Sequence, residues 1–338
     1  MAEPSERAER TGRAEPSVLV LTRRGDREAG LVATLLRRAG VPVTRLDADA
    51  PGGVGDVLCT SDGVLEIAGA RIRPTVTWHR HFSPRALPGC ADPGGDALRR
   101  DAWAALVRQL PLLSQVSIGD QEPGQLAQLR QAASLGLRVP RTVVATDPRA
   151  AASALASGRT VVKALDRHYV EPSPGLLRWF PPLVCAPGRT RVLRGTAPGT
   201  PLVVQEYVPH DREIRLYLTG TEHHAFEVAK ERPEDLWTRP DRVGVAAVAT
   251  PPPALSAARA LAEAFSLRYA AFDFLMQGDD PVFLELNVHG DWRWFERRAG
   301  VETVTRAMAR TLGAAHRAAG GGVGRRLALL PFLGAGVS

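Results

Sequence analysis

The chain has 338 residues, of which 44% are hydrophobic and 23% charged, with a net charge of +7. That size allows two or three domains with ample cores; no run approaches the roughly 18 apolar residues of a membrane helix, and residues 1–16 lack the apolar centre of a signal peptide. The basic balance suits acidic peptides or phosphates, whereas scattered arginines without interleaved aromatics argue against nucleic acid. Cys59, Cys90 and Cys185 lie far apart without metal-type spacing, so free thiols and a cytoplasmic location are expected.

Residues 1–15 read as a disordered tail. A buried-type strand over 18–22, a helix over 27–39 closed by Gly40 and a strand over 41–47 open an α/β domain. No G-x-G-x-x-G accompanies them, which leaves a dinucleotide site unsupported. A hairpin over 58–72, a strand over 73–80, a Pro/Gly-rich loop over 83–95 and a helix over 96–109 follow. Further on, the pattern predicts helices over 125–135 and 149–157, strands over 137–144, 159–164 and 202–208, and hairpins or loops over 165–200. Strands over 213–218 and 224–229 turn at Gly220, residues 233–243 read as a loop, and 255–265 as a helix. Two more strands, a helix over 301–319 and a tail opening on Gly320-Gly321-Gly322 complete the chain.

The chemistry concentrates late in the chain. Ala271-Phe272-Asp273-Phe274-Leu275 and Phe283-Leu284-Glu285-Leu286-Asn287 read as strands with oxygen-bearing residues at one sheet end. Glu285 and Asn287, two apart, share a strand face. Asp273, Glu285 and Asn287 all offer hard oxygens, and Mg²⁺ prefers one or two carboxylates completed by phosphate oxygens and water. The set reads as a Mg²⁺–nucleotide site, against the plainer reading of polar strand ends. Of the 43 basic residues only two are lysines, Lys163 and Lys230. In a chain where arginine is the default cation, a retained lysine points to a compact charge for phosphate.

In chain order these residues form a series: Lys163 at a strand end, Gln205-Glu206-Tyr207-Val208, Asp211-Arg212-Glu213-Ile214-Arg215, Lys230, Asp273 and Glu285-x-Asn287. In this order and spacing, over residues 120–310, the chain resembles the ATP-grasp superfamily of carboxylate–amine and carboxylate–alcohol ligases. The resemblance implies an α/β (α+β) ATP-grasp fold, with two lobes enclosing the nucleotide. It divides the chain into a tail (1–15), a pre-ATP-grasp domain (16–120), an N-terminal lobe (121–200), a C-terminal lobe (201–319) and a second tail (320–338). ATP and Mg²⁺ would be the cofactors. Lys163 would contact the phosphates and the adenine edge. Gln205, Glu206, Tyr207 and Val208 would form the hinge, with backbone groups of Glu206 and Val208 on adenine, and Glu213 would reach the ribose. Arg215 would stabilise the transferred phosphoryl group and an acyl phosphate, and Lys230 the γ-phosphate. Asp273, Glu285 and Asn287 would hold Mg²⁺ between phosphates.

Within that superfamily the chain is similar to the microviridin-type ribosomal peptide maturases, the graspetide synthetases. The likeness is carried by the 18–22 strand with Trp78-His79-Arg80, by Gln128-Leu129 through Ala132-Ala133-Ser134-Leu135-Gly136-Leu137-Arg138-Val139-Pro140-Arg141-Thr142, and by Glu285-Leu286-Asn287-Val288-His289-Gly290-Asp291-Trp292. It implies an acidic precursor peptide, leader plus core, as partner. Its Asp or Glu side chains would be joined to hydroxyls or amines as macrolactones or macrolactams, without nucleic acid or membrane; relatives are often homodimers. Several residues depart from the pattern. Gln125 replaces a lysine common in relatives, and Val288, His289 and Asp291 replace the usual residues. The Asp-x-Arg substrate motif has only near matches in Asp235-Leu236-Trp237 and Asp241-Arg242. Asp166-Arg167-His168-Tyr169-Val170-Glu171 is unlike the family, with His168 and Glu171 as candidates to face nucleotide or substrate. Lys230 is more like the glutamate-adding ligases, which keeps open an amino-acid or peptide ligase acting on small molecules or protein tails. A nucleotide-binding scaffold without chemistry is the third reading. Trp78, Arg80, Trp292 and Trp294 are candidate substrate contacts, with core packing expected for at least two.

Overall fold

A computed structural model describes residues 13–50, 54–89, 92–155, 158–166, 168–173, 176–187, 193–232 and 234–322. Packing divides the chain into two units, Met1–Asp120 with Ala309–Ser338, and Gln121–Met308. The tails at 1–12 and 323–338, Cys90 and Arg167 lie outside the described residues, as do the side chains of Glu171 and Trp237. Among the described residues no helix is long and apolar enough to cross a membrane.

In the first unit, β1 (Glu15–Thr22) is buried from Ser17 onward on both faces, as a central parallel strand must be. It starts inside the stretch expected to be a tail. Asp26 caps α1 (Arg27–Arg38) by accepting from the Ala29 amide, and Arg37 and Arg38 complement the far end of the helix dipole. The sheet runs β2 (Val43–Asp47), β1, β5 (Ala70–His79), β4 (Leu65–Ile67), β3 (Val57–Cys59), and β2 and β5 pair with β1 in parallel. Ala68 and Gly69, both at positive φ, turn β4 into β5, so the expected hairpin is a three-strand meander. After α2 (Pro93–Gln109), the three-residue β6 (Val116–Ile118) joins β5 in parallel, too short to show a period in sequence. Trp78 and Arg80 are 0% and 1% exposed, which removes both as substrate contacts. Arg80 is consumed internally: its Nε donates to Asp26 at 2.8 Å and its Nη2 to Glu28.

The described residues of the second unit form two larger antiparallel sheets and a separate hairpin. After α3 (Gln125–Ser134), β7 (Thr142–Ala145), α4 (Pro148–Leu155), β8 (Thr160–Ala164), β11 (Leu183–Cys185) and β12 (Leu202–Glu206) build the smaller one in the order β11-β8-β12-β7. Ala151 and Leu155 of α4 pack on Val162, Leu202 and Val204. The intervening β9 (Tyr169–Ser173) and β10 (Leu176–Trp179) form a separate hairpin.

The larger sheet has the order β15-β14-β13-β16-β17, from β13 (Arg212–Thr219), β14 (Glu222–Ala229), β15 (Gly244–Val248), β16 (Tyr269–Gln277) and β17 (Asp280–Asn287). Between β14 and β15, the expected loop holds the short α5 (Asp235–Thr238) and a 3₁₀ turn at Pro240–Arg242. Alternate residues Ile214, Leu216, Phe272, Phe274 and Leu286 face Ala254, Ala257, Ala258 and Leu261 of α6 (Pro252–Ala264), and Leu129 and Ala132 of α3. Burying one sheet face under small helical residues leaves the odd-numbered residues of β13 and β16, with Glu285 and Asn287 of β17, on the other face. Beyond β17, α7 (Arg293–Ala299) ends at Gly300, whose φ of 70° is the left-handed stop that glycine supplies. It precedes α8 (Thr303–Ala318). Trp292 is fully buried and its Nε1 donates to Thr305 Oγ1 at 2.9 Å, which removes it as a substrate contact too. Trp294 is half-buried against Phe295, with the Arg298 guanidinium over its ring.

Candidate functional site

On the face of the larger sheet away from α6, pairing aligns one residue from each of three strands. Arg215 of β13 lies opposite Asp273 of β16, and Asp273 opposite Glu285 of β17. Directly opposed residues on antiparallel strands project to the same side. Asn287 lies opposite Ala271 on that side, and Glu213, two before Arg215, continues the row along β13 opposite Val228.

A β-bulge makes this alignment compatible with the core. Phe283 and Glu285 are two apart and would share a face in a regular strand. The register slips between Asp273 and Phe274, so that Phe274 pairs with Phe283 while Asp273 pairs with Glu285. Leu284 absorbs the extra residue. Phe283 therefore enters the core beside Phe274, with ring centroids 5.9 Å apart, while Glu285 keeps to the polar face.

Each carboxylate of the row meets a cation. Arg215 Nη1 donates to Asp273 Oδ2 at 2.5 Å. Lys163, at the end of β8 in the smaller sheet, crosses to Glu285 Oε2 at 3.2 Å. Just past β14, Lys230 Nζ reaches Glu213 Oε2 at 2.7 Å. Burial alone would raise the Glu285 carboxyl, but Lys163 and His168 outweigh it and hold it down to about 2. Asp273 is raised: burial is the larger influence, and the Glu285 charge adds to it against Arg215. His168 is lowered, mainly by burial, and feels both Glu285 and Lys163, so it belongs to this cluster.

The donor set fits a hard divalent cation. Two carboxylates and one amide oxygen share a face, Glu285 is ionised as a ligand must be, and Mg²⁺ needs no all-protein cage. Among the described residues no group of three His, Cys, Asp or Glu side chains gathers for a metal; the third ligand would be Asn287. Its Oδ1 accepts from the His289 amide at 2.8 Å, which fixes the amide orientation and leaves one lone pair.

The segment Gln205-Glu206-Tyr207-Val208, expected to be the hinge, is braced by residues outside it. Gln205 is buried and donates through Nε2 to Thr142 Oγ1 at 2.9 Å. The Glu206 carboxylate accepts from the Arg141 amide at 3.0 Å and Arg141 Nε at 3.1 Å. The backbone amides of Glu206 and Tyr207 donate to the Arg141 and Arg159 carbonyls, both at 2.9 Å. Of the backbone groups of Glu206, the amide is therefore engaged within the protein. Arg159 stacks over the Tyr207 ring at 4.0 Å.

Several contributors were not assigned a role at the site from the sequence. Gln128 acts as a two-way amide clamp on the backbone between Glu285 and Asn287. Its Nε2 donates to the Leu286 carbonyl at 3.0 Å and its Oε1 accepts from the Leu286 amide at 2.9 Å. Tyr217 Oη accepts from Arg215 Nε at 3.3 Å and donates to the Asp291 carbonyl at 2.6 Å. The Tyr217 and Phe295 rings lie beside the Arg215 guanidinium, at 5.4 and 5.6 Å. At Gly290 a Cβ would lie 2.5 Å from Ala271 Cβ and 2.9 Å from Arg215 Nη2, so only glycine lets this loop close on the arginine. Asp235, a near match to the Asp-x-Arg motif, is buried and holds its own loop, through Arg239 at 2.7 Å and the Arg232 amide at 3.0 Å. His289 pairs with Glu122 at 3.8 Å.

A scan against models of protein families finds no match, and a search of curated proteins finds none. Solved structures do match. The macrocyclase MdnC bound with precursor peptide MdnA, from Microcystis aeruginosa, superposes with a TM-score of 0.70 at 20% identity, over 88% of this chain and 100% of that one. A RiPP-associated ATP-grasp ligase from Chryseobacterium gregarium, in complex with ADP and a leader and core peptide, gives 0.67 at 18% identity, over 88% of this chain and 96% of that one. The ATP-grasp ligase PsnB, complexed with a minimal precursor variant, Mg and ADP, gives 0.65 at 19% identity, over 90% and 99%. Two antiparallel sheets that bring Lys163 against Glu285, together with this likeness over most of the chain, identify the architecture: the chain has the ATP-grasp fold.

Proposed function

We propose that the chain is an ATP- and Mg²⁺-dependent ligase that activates side-chain carboxylates of an acidic precursor peptide and couples them to hydroxyls or amines of the same peptide. The observation that carries this reading is the row Arg215, Asp273, Glu285 across three strands, met by Lys163 from the other sheet. ATP supplies a phosphoryl group that turns a carboxylate into an acyl phosphate and leaves ADP; attack by a nucleophile then forms the ester or amide and expels phosphate, which carries off the carboxylate oxygen, so the peptide alone is lighter by the elements of water.

The residues divide this work. Asp273, Glu285 and Asn287 would hold Mg²⁺, whose charge would offset that of the phosphates. Lys163 and Lys230 offer point charges to phosphate oxygens. Arg215, held by Asp273 and Tyr217, presents its fork where negative charge builds during transfer. Gln205 to Val208 form the hinge for the base and Glu213 the contact for the ribose. A net charge of +7 favours an acidic peptide on approach. The protein works in the cytoplasm, and a homodimer is the assembly we expect. The N-terminal unit corresponds to a pre-ATP-grasp domain, and the second unit to the two lobes.

ADP release measured with an acidic peptide and, separately, with free amino acids tests the reading. Peptide-dependent release, lost in Asp273→Asn, supports it. Release only with free amino acids transfers the chain to small-molecule ligation, the reading that Lys230 brought forward. Nucleotide binding without release under either condition identifies a scaffold.

A further inference from the structure

We propose that His210 is a positioning residue for the nucleotide, a charged imidazolium that ties the Val208 carbonyl of the hinge to the Glu213 carboxylate of the sheet. The proposal rests on the nucleotide reading above and adds a residue that reading does not contain.

His210 lies in the short connection from β12 to β13. Its Nδ1 is 2.8 Å from the Val208 carbonyl oxygen, and its Nε2 is 3.1 Å from Glu213 Oε1. A carbonyl oxygen can only accept, and so can an ionised carboxylate. Neutral imidazole carries one N–H and can satisfy one of these partners; only imidazolium satisfies both. The geometry therefore requires the charged ring. Glu213 is shared between two cations, with Lys230 Nζ 2.7 Å from its other oxygen.

The charged surroundings favour this state. From β13, Glu213 faces the ring and draws a proton to it; Lys230, beyond β14, opposes that. From the hinge side, the Tyr207 ring lies 6.2 Å away with Arg159 stacked on its face. Arg159, Glu206, Tyr207 and His210 line a cavity of about 540 Å³ with Gly158 and Pro209. The hydrogen bond to Glu213 is the largest influence on His210, and its pKa is raised. Burial alone would raise Glu213, yet His210 and Lys230 together lower it, so each member of the pair favours the charged form of the other.

The consequence is a pH-dependent brace. Above the raised pKa the ring loses one proton and one of its two bonds, so either the hinge carbonyl or the ribose-side carboxylate is released. Nucleotide affinity is constant below that pKa and falls above it, by about tenfold, the size of one charge-assisted hydrogen bond.

Two measurements on the full-length protein test this. Histidine NMR without nucleotide should find both nitrogens of His210 protonated at pH 7 and a titration above the ordinary 6.5 that moves down in Glu213→Gln. Titration at or below the ordinary value overturns the brace, whatever the nucleotide does. Calorimetry with ADP and Mg²⁺ from pH 6 to 9 should show the wild type weakening about tenfold through the His210 pKa, and His210→Gln weak and flat with pH. Equal pH slopes in wild type and His210→Gln overturn the proposal. If that variant fails to fold, the wild-type slope and the Glu213→Gln titration decide. A wild type that binds no nucleotide at any pH defeats the nucleotide reading and the role of His210, while the NMR titration still shows whether the imidazolium pair exists.

Discussion

Asp273 and Glu285 are opposed across β16 and β17, yet the protein treats them differently. Lys163 keeps Glu285 ionised, whereas burial and the Glu285 charge raise Asp273 despite Arg215 at 2.5 Å. Two carboxylates this close repel, and a bound divalent cation would remove the conflict. Glu285→Ala or Asp273→Ala should therefore lower Mg²⁺-dependent ADP formation by a factor on the order of a hundred or more in a protein that still folds. Full activity in either variant would remove the metal assignment. Arg215 has a different task, because its guanidinium is fixed by Asp273, by Tyr217 and by the close approach of Gly290. Arg215→Ala should cost roughly 10²–10³ in kcat and little in nucleotide Kd, as expected for a donor aimed at charge that develops during transfer. Equal losses in both would make it a ground-state contact.

At the scale of elements, the site depends on β17 being held in register at its edge. Gln128 of α3 replaces a neighbouring strand there by bonding both backbone groups of Leu286, and the Phe283 amide donates to the Arg138 carbonyl at 2.9 Å. Gln128→Ala should leave those buried Leu286 groups unsatisfied, at a cost of about 1–3 kcal/mol. It should also weaken Mg²⁺-supported nucleotide binding, because Glu285 and Asn287 flank the clamped residue; thermal unfolding and calorimetry read the two effects separately. The long strands were legible because β1, β8, β12, β13 and β16 carry continuous or alternating apolar residues. The elements that sequence did not reveal are short and depend on their neighbours. β6 has three residues, β15 is a largely exposed run of small residues that exists by pairing with β14, and α7 has seven residues. Asp273, Glu285 and Asn287 were readable as a set from strand alternation. The bulge at Leu284, the Lys163–Glu285 contact and the His210 brace arise from register and tertiary packing, which no local pattern encodes.

For the molecule as a whole, each of the two units has its own core and its own buried polar centre. In the first, Asp26 joins the Arg80 guanidinium, the Thr22 hydroxyl and the Ala29 amide. Burial alone would raise this carboxyl, but Arg80 and the hydrogen bonds bring it below its ordinary 3.8. A lowered carboxyl gives stability that is fully present above the unfolded pKa and is lost as pH falls through the folded one. Unfolding of the wild type should therefore steepen on the acid side of pH 3.8, and Arg80→Met should shrink that dependence by the share that Asp26 carries. The same substitution leaves Asp26 as a buried charge without its partner and should cost about 3–5 kcal/mol at neutral pH. Denaturant melts from pH 2 to 7 read both effects, and an unchanged acid limb in Arg80→Met would refute the assignment. The central claim is carboxylate activation at the acidic row of the second unit, and intact-mass spectrometry tests it most directly. The protein would be incubated with ATP, Mg²⁺ and short acidic peptides that also carry Ser, Thr and Lys. The account predicts losses in steps of about 18 Da, one per ring closed through an acyl phosphate, and none with Glu285→Ala. An unchanged peptide mass with no ADP formed would contradict it.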